Sequence, residues 1–325
     1  MMRPSLLAAP APSVAVEITP RQVAAISLTV RAGVPVIDAC AVETLPAGAV
    51  APALNSTNIA DRGPVVKALK LVFGRLGTRS RRAALVVPDC VAKVSILRLD
   101  KVPSRASDLD QLLRWHVRKA APFRLEDAQV TFAPGAVTDG GGQEFVVAVA
   151  RRDVVQEYEQ VCVDAGASPG LVDIATFDLI NAVLAAERPP GGDWLLVNVT
   201  PEYSTMGILR GSHLIFFRNR VEEGDGNITD LVHQTAMYYE DRLSGRGFER
   251  VLLAGAPETA IATAGPVTRG ADQLRRNLEE RLGVRVEAID PRRLASFAQR
   301  AAVDAALVSS VTPLLGVLLR ERVSR

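Results

Sequence analysis

Two stretches of four residues hold the side chains that are best placed to do chemistry. Residues 17–20 read EITP and residues 198–201 read NVTP. The carboxylate of Glu17 could bind a metal ion, and the hydroxyl of Thr19 could donate a hydrogen bond to an anion. Asn198, which stands where the first stretch has its glutamate, has no charge and cannot act as a base. The two stretches therefore predict an anion site that has lost part of its chemistry.

Each stretch ends the first of three apolar runs. The runs of the first half are residues 14–18, 23–30 and 34–42, and those of the second half are residues 195–199, 204–209 and 214–217. Short apolar runs bounded by turn residues are typical of strands, and internal repetition indicates a duplicated unit. We therefore expect two related lobes, each with a three-stranded meander, and a ligand cleft where the two turns face each other.

A predicted helix that begins at Ser107 or Asp108 offers a second candidate site. Its buried face is supplied by leucines, which leaves Trp115 exposed between Arg114 and Arg118. An exposed tryptophan beside two arginines would suit the anchoring of a peptide partner. The alternative is that Trp115 covers the edge of a sheet, and the sequence leaves both interpretations open.

Composition argues against several classes of function. The 325 residues include 38 basic and 36 acidic side chains, a net charge of +2, which favours no binding of nucleic acid. The three cysteines and three histidines are scattered, so no metal site is predicted. Walker, paired-histidine and Ser-His-Asp patterns are missing, and no apolar run approaches the roughly 20 residues that span a bilayer. We therefore expect a non-catalytic cytoplasmic protein that reaches a membrane only through a partner.

The order of predicted elements divides the chain into four parts. Residues 1–12 are predicted to be a flexible arm. Residues 13–90 and 166–188 form the first lobe, and a small strand–helix–strand–strand subdomain is inserted at residues 91–165. Residues 193–325 form a reduced second lobe, in which one helix follows the meander and the long final helix is expected to pack on the second sheet.

This order, together with several short motifs, resembles the PilM family of type IV pilus assembly proteins, which belongs to the actin-like ATPase superfamily. The resemblance covers nearly the whole chain. The motifs are residues 83–88 (AALVVP), 112–117 (LLRWHV), 145–150 (FVVAVA), 166–173 (GASPGLVD), 211–218 (GSHLIFFR) and 315–320 (LGVLLR).

The resemblance implies an α/β, actin-like (ribonuclease H-like) fold of two lobes and a scaffold role in type IV pilus assembly. Such proteins bind the N-terminal cytoplasmic tail of a bitopic inner-membrane protein similar to PilN, in a groove beside the inserted subdomain. They assemble with it into a ring, so a homo-oligomer is also expected. The implied location is the cytoplasm, at the inner membrane through this partner.

Actin-like proteins bind Mg-ATP between their lobes, and the resemblance implies which residues would do so here. Glu17 and Asn198 stand where the family has aspartates, and Thr19 and Thr200 replace the glycines that let a phosphate approach. The prolines that follow them remove N–H donors. We therefore expect no cofactor and no efficient ATP hydrolysis. In the preferred interpretation, both turns are simply tight, rigid connections between strands. The residues of this degenerate nucleotide site are Glu17, Thr19, Asn198, Ser204 and Gly255.

Two other functions are compatible with the same pattern. An active actin-like ATPase, with Mg-ATP between the lobes, would need Glu17 to replace the first aspartate and another acid, such as Asp173 or Asp178, to replace Asn198. A cytoplasmic relative from type II secretion would usually continue into a transmembrane helix and a periplasmic domain, whereas this sequence ends at Arg325. The pilus scaffold is the preferred interpretation.

Overall fold

The computed structural model describes residues 12–78, 80–138, 140–187, 191–221, 228–255, 268–298 and 305–323. The predicted N-terminal arm, except for its last residue, lies outside these ranges. Within them, none of the helices combines the length and the apolar character that a bilayer-spanning segment needs.

The first lobe is built on a six-stranded sheet. Its strands are β1 (Val14–Ile18), β2 (Gln22–Arg31), β3 (Val34–Thr44), β4 (Arg82–Val87), β8 (Ser168–Ile174) and β14 (Ser296–Phe297). They lie in the order β14-β3-β2-β1-β4-β8, an antiparallel meander followed by two parallel strands. Strand β1 is buried along its whole length, because layers of apolar side chains cover both faces of the sheet.

The second lobe repeats this architecture. Its strands are β9 (Asp193–Val199), β10 (Tyr203–Arg210), β11 (His213–Val221), β12 (Arg250–Ala254) and β13 (Val286–Ala288). Their order, β11-β10-β9-β12-β13, again joins an antiparallel meander to two parallel strands. The predicted duplication and the ribonuclease H-like class of the fold are thereby confirmed.

Seven helices surround the sheets in the described part of the chain. They are α1 (Arg62–Leu76), α2 (Ala106–Val117), α3 (Arg152–Asp164), α4 (Ala175–Ala186), α5 (Ile228–Leu243), α6 (Thr268–Leu282) and α7 (Ala305–Val323). The carboxylate of Asp61 accepts the N–H of Gly63 at the start of α1, and Gly77, at φ 62°, ends it. These are the start and stop signals that the sequence offers for this helix.

The inserted subdomain has the strand–helix–strand–strand order that the sequence predicts. Its strands are β5 (Ala92–Leu99), β6 (Ala128–Val137) and β7 (Gln143–Arg151), arranged as an antiparallel sheet in the order β5-β7-β6. Leu113 and Val117 of α2 pack on one face of this sheet, against Phe145, Val147 and Val149.

Helix α3 corrects the predicted extent of the insert, residues 91–165. Its buried side chains include Val154, Tyr158 and Val161, and they belong to the core of the first lobe together with Leu69 and Val72 of α1. The helix therefore completes the first lobe. An apolar stripe indicates that one face of a helix is buried, but it does not identify the sheet or helix against which that face packs.

The C-terminal segment corrects the predicted second lobe, residues 193–325. Strand β14 pairs in parallel with β3 of the first sheet. The apolar stripe of α7, which includes Val311, Leu314 and Leu315, packs on the first sheet against Ile26 and Val86. The chain therefore returns to the first lobe at its end.

Helix α4 lies between the two sheets and holds them together. Ala175 and Ala182 face the first lobe and α7, whereas Leu179 and Val183 pack against Trp194 and its neighbours in the second sheet. Because each fully buried large apolar side chain stabilises the folded state by about 1.5–3 kcal/mol, this shared core is the main connection between the lobes.

The contact between α4 and α7 generates a prediction about stability. A Cβ atom added at Gly316 of α7 would lie 1.7 Å from the carbonyl oxygen of Asp178, whereas one added at Gly74 of α1 would meet nothing within 4 Å. We expect Gly316→Ala to lower the free energy of unfolding by at least about 1–3 kcal/mol. Gly74→Ala should raise it by about 0.5–1 kcal/mol through helix propensity. Urea unfolding of both variants checks this, and equal effects would contradict the packing described here.

Candidate functional site

The two Thr-Pro turns are closed by the same set of hydrogen bonds. The N–H and hydroxyl of Thr19 donate to the carbonyl oxygen of Gln22 at 2.9 and 3.0 Å, and the N–H of Gln22 donates to the hydroxyl at 3.1 Å. The N–H and hydroxyl of Thr200 both donate to the carbonyl oxygen of Tyr203 at 2.9 Å, and the N–H of Tyr203 donates back at 3.0 Å. Each threonine therefore uses its only hydroxyl proton in a hydrogen bond within its own turn.

The two turns are also joined to each other across the lobes. Arg21 follows the proline of the first turn and Glu202 follows the proline of the second. The Nε atom of Arg21 lies 3.1 Å from Oε1 of Glu202, with 55% and 26% of the two side chains exposed. A pair this exposed contributes about 0–1 kcal/mol to stability. Its position matters more, because it places a carboxylate in the space between the turns.

Asp89 is the centre of the polar contacts between the lobes. It is fully buried in a short 3₁₀ helix, Asp89–Val91, directly after β4. Its Oδ1 accepts the backbone N–H of Thr176 in the first turn of α4 at 2.8 Å, and its Oδ2 accepts the hydroxyl of Thr176. The carboxylate therefore sits at the N-terminus of α4, where the helix dipole and free N–H groups favour negative charge.

The second lobe completes the shell of donors around Asp89. The hydroxyl of Thr205 donates to Oδ2 at 2.7 Å, and Nδ2 of Asn198 lies 3.4 Å from the same atom and 3.0 Å from the hydroxyl of Thr176. Asn198 and Asn219 flank Thr205 on the neighbouring strands, and Nδ2 of Asn219 donates to the Thr205 hydroxyl at 2.8 Å. A row of polar residues across three strands of the second sheet thus faces one carboxylate of the first lobe.

Glu17 lies beside this cluster and is almost as deeply buried. Only 8% of the residue is exposed. Burial, and secondarily the negative charge of Asp89, raise the pKa of Glu17 to about 8. Burial also raises the pKa of Asp89, although its four hydrogen bonds act in the opposite direction. Among the described residues, no three His, Cys, Asp or Glu side chains are arranged to hold a metal ion.

The two acids named as possible replacements for Asn198 have different surroundings. Asp178 of α4 is fully buried, and burial, followed by the negative charge of Asp173, raises its pKa well above the usual value. Burial raises the pKa of Asp173 in β8 to about 6. The structure thus adds two protonatable acids to the first lobe, and neither is one of the Asn198 contacts described above.

The remaining residues of the predicted nucleotide site have structural positions. Ser204 is fully buried in β10. Gly255 follows β12 at φ 78°, and a Cβ atom there would lie 2.1 Å from the carbonyl oxygen of Val199. Only glycine fits that position, because both the backbone conformation and the space forbid a side chain.

The sequence interpretation missed Asp89 and Thr176. A signal for both was available, since each stands directly after, or close to, the carboxyl end of a parallel strand, β4 or β8. Functional and structural polar groups collect at that edge of an α/β sheet. Asp89 escaped notice because it is a single acid without a repeated motif around it.

A groove between the insert and the first lobe forms a second candidate site. It has a volume of about 310 Å³, and we call it the β6–β8 groove. Strands β6 and β8 are edge strands of their sheets, so each presents backbone N–H and C=O groups that its own sheet leaves unpaired. Side chains that line the groove include Thr131, Ala133, Asp173, Phe177 and Arg320.

The predicted partner-binding residues lie elsewhere on the insert. Trp115 is 64% exposed and meets His116 edge to face. Arg114 pairs with Asp110 at 2.7 Å within α2, and Arg118 is the C-terminal cap of that helix. Helix α2 covers the face of the insert sheet that carries Val147 and Val149. The neighbouring residues Val146 and Ala148 point to the opposite face and line the β6–β8 groove.

Fold and connectivity define the class of protein first: a duplicated ribonuclease H-like unit with a small insert, which is the actin-like fold. A family model described as type IV pilus assembly protein PilM matches residues 15–242, more than half of the chain. The protein belongs to this family of type IV pilus assembly proteins.

One solved structure agrees with the fold. The chain is similar to one in the PilM-PilN type IV pilus biogenesis complex, with a TM-score of 0.77, 17% identity, and coverage of 97% of this chain and 100% of that one. Weaker similarity extends to the ethanolamine utilization protein EutJ from Carboxydothermus hydrogenoformans (TM-score 0.49, 10% identity, 96% and 90% coverage). It also extends to the cytoplasmic domain of EpsL, an inner-membrane component of the type II secretion system of Vibrio cholerae (0.45, 11%, 80% and 93%). The comparison with curated proteins finds no match.

The buried acid Glu17 makes stability depend on pH. Its pKa is about 8 in the folded protein against 4.5 in a free side chain, so the folded state retains a proton that the unfolded state releases. The contribution to stability is therefore full below about pH 4.5 and is lost as pH rises through about 8.

Glu17→Gln imitates the protonated acid and should remove this loss. We expect the variant to gain stability over the native protein between pH 5 and pH 8.5, with a slope of up to about 1.4 kcal/mol per pH unit. Denaturant unfolding at several pH values measures it. Glu240→Gln, which changes an exposed residue of α5, should keep the native profile. Parallel profiles for Glu17→Gln and the native protein would show that Glu17 does not take up a proton on folding.

Proposed function

We propose that this protein is an adaptor of type IV pilus assembly that binds the N-terminal cytoplasmic tail of an inner-membrane protein similar to PilN, without hydrolysing ATP. The observation that carries the proposal is the β6–β8 groove, where two unpaired strand edges face the same space. An extended tail can add to such an edge through main-chain hydrogen bonds, while pockets accept alternate side chains. In this reading the protein is cytoplasmic, reaches the inner membrane through the tail, and forms a ring with its partner.

The groove offers both apolar and charged contacts to such a tail. Phe177 and Val146 supply apolar surface, and Arg320 and Asp173 supply one charge of each sign. Trp115, with Arg114 and Arg118, lies on the other face of the insert. We propose that this exposed tryptophan serves a separate contact in the assembled ring, since it does not line the β6–β8 groove.

The absence of ATP hydrolysis is proposed from the chemistry of the turns. A triphosphate needs free N–H and hydroxyl donors, but the threonine donors of both turns are used within them. The carboxylate of Glu202 stands between the turns, and the buried Asp89 adds a second acid close to Glu17. A magnesium ion that carried the triphosphate would need carboxylate ligands from the protein. Asn198 has no carboxylate to offer, and its amide instead donates to Asp89.

Binding of the tail can be tested with a synthetic peptide that has the N-terminal cytoplasmic sequence of a PilN-like protein from the same organism. We expect Ala133→Arg, an exposed position on β6 within the groove, to weaken binding at least tenfold, about 1.4 kcal/mol. Isothermal titration calorimetry measures it.

The matched control is Val137→Arg, which changes a residue of the same strand that is 75% exposed and lies outside the groove lining. It should bind the peptide as the native protein does. Equal loss in both variants, or in neither, would remove the β6–β8 groove as the docking site. If Trp115→Ala alone abolished binding, the α2 face would take its place.

Nucleotide binding is tested with the full chain and Mg-ATP. We expect any dissociation constant to exceed about 1 mM, and we expect Asn198→Asp to leave this unchanged, because the turns stay closed by their own threonines. The tail peptide, titrated in the same experiment, controls for folded protein. Saturation by Mg-ATP at micromolar concentration, or phosphate release that Glu17→Ala abolishes, would support the active ATPase instead.

A further inference from the structure

A second groove lies where strand β5 of the insert, strand β11 of the second lobe and residues 52–55 and 90 of the first lobe meet. It has a volume of about 430 Å³, and we call it the β5–β11 groove. Both strands are edges of their sheets, so two rows of unpaired backbone groups face it. Its lining is Pro52, Ala53, Leu54, Asn55, Cys90, Ala92, Lys93, Val94, Phe217, Arg218, Asn219 and Val221.

The charge of this groove has one sign. Lys93 and Arg218 are exposed, and among the described residues neither lies within ion-pair distance of an acid. No described residue that lines the groove is an aspartate or glutamate. Two cations on facing strands, without carboxylates between them, are complementary to an acidic ligand.

Apolar side chains line the same groove as these charges. Leu54, Val94 and Phe217 line the groove, and Val221 is 45% exposed. A small inorganic anion would make no use of this apolar surface or of the two strand edges. An extended peptide would use all three features, because its backbone pairs with an edge while successive side chains point to opposite faces.

Hydrogen bonds to the Asp89 cluster fix one of the residues that line the groove. Asn219, which lines the groove, donates to Thr205, and Thr205 donates to Asp89. Phe217 lines this groove and Phe177 lines the β6–β8 groove, and their rings meet edge to face with centroids 5.4 Å apart. A pre-formed site of this kind loses little entropy when a ligand binds.

The geometry points to a docking site for a second protein partner: the β5–β11 groove binds an extended peptide segment in which acidic side chains alternate with apolar ones. This site differs from the β6–β8 groove and does not depend on the tail that binds there.

The test uses a random heptapeptide library displayed on phage and selected on the immobilised full-length protein. Selection is repeated on the double variant Lys93→Glu/Arg218→Glu, which reverses both charges. We expect peptides enriched on the native protein to carry Asp or Glu next to Val, Ile, Leu or Phe. A selected peptide, synthesised with a fluorescent label, should bind the double variant at least tenfold more weakly and should bind less tightly as salt increases.

Three controls make the result specific. Arg242→Glu reverses an exposed charge of α5 outside the groove and should change the affinity by less than about twofold. Ala133→Arg, in the β6–β8 groove, should leave the peptide affinity unchanged. Lys93→Ala/Arg218→Ala replaces the double variant if charge reversal lowers the melting temperature.

The proposal is wrong if the library yields no peptide that prefers the native protein. It is also wrong if the selected peptides are basic or uncharged, if they bind the charge-removed variant equally well, or if Ala133→Arg abolishes their binding.

Discussion

The rest of the structure depends on one buried carboxylate, that of Asp89. Taking an ionisable group out of water costs several kcal/mol unless hydrogen bonds replace those with water. For Asp89 the replacement comes from both lobes: two donors from Thr176 at the start of α4, and Thr205 with Asn198 from the second sheet. The full set of donors exists only when the lobes are at their observed separation. Asp89 therefore fixes the distance and register of the lobes, while the apolar core supplies most of the energy.

The contacts between the lobes differ widely in strength. Helix α4 buries Leu179, Ile180 and Val183 against the second sheet, worth about 1.5–3 kcal/mol for each large side chain. Arg21 and Glu202 form an exposed pair worth about 0–1 kcal/mol. The apolar core and the Asp89 cluster therefore hold the two lobes together. The Arg21–Glu202 ion pair adds little stability and places two charged side chains between the turns.

Features that depend on neighbouring residues in sequence could be predicted, whereas those that depend on contacts between distant segments could not. The two meanders were predictable, because continuous apolar runs and turn residues such as those after Ile18 and Val199 act locally. The destinations of α3 and α7 were not, since an apolar stripe fits either sheet and only the assembled lobes decide. Of the polar site, Glu17 and Asn198 were recognisable by their repetition. Asp89 has no such repetition: its position after β4 marks it only as a candidate, and its role depends on Thr205, 116 residues away in sequence.

The equivalence of the two turns explains how the fold persists in this chain. In both, a threonine hydroxyl and a backbone N–H hold the residue three positions later, so the hairpin is stabilised by its own atoms. A glycine turn that relied on a phosphate would lose that support without nucleotide. The threonines therefore stabilise each hairpin without a ligand. The contacts between the lobes continue to both grooves, through Asn219 and Phe217 to the β5–β11 groove and through Phe177 to the β6–β8 groove. For the proposed adaptor, turns that are closed by their own atoms would present both grooves without a bound nucleotide.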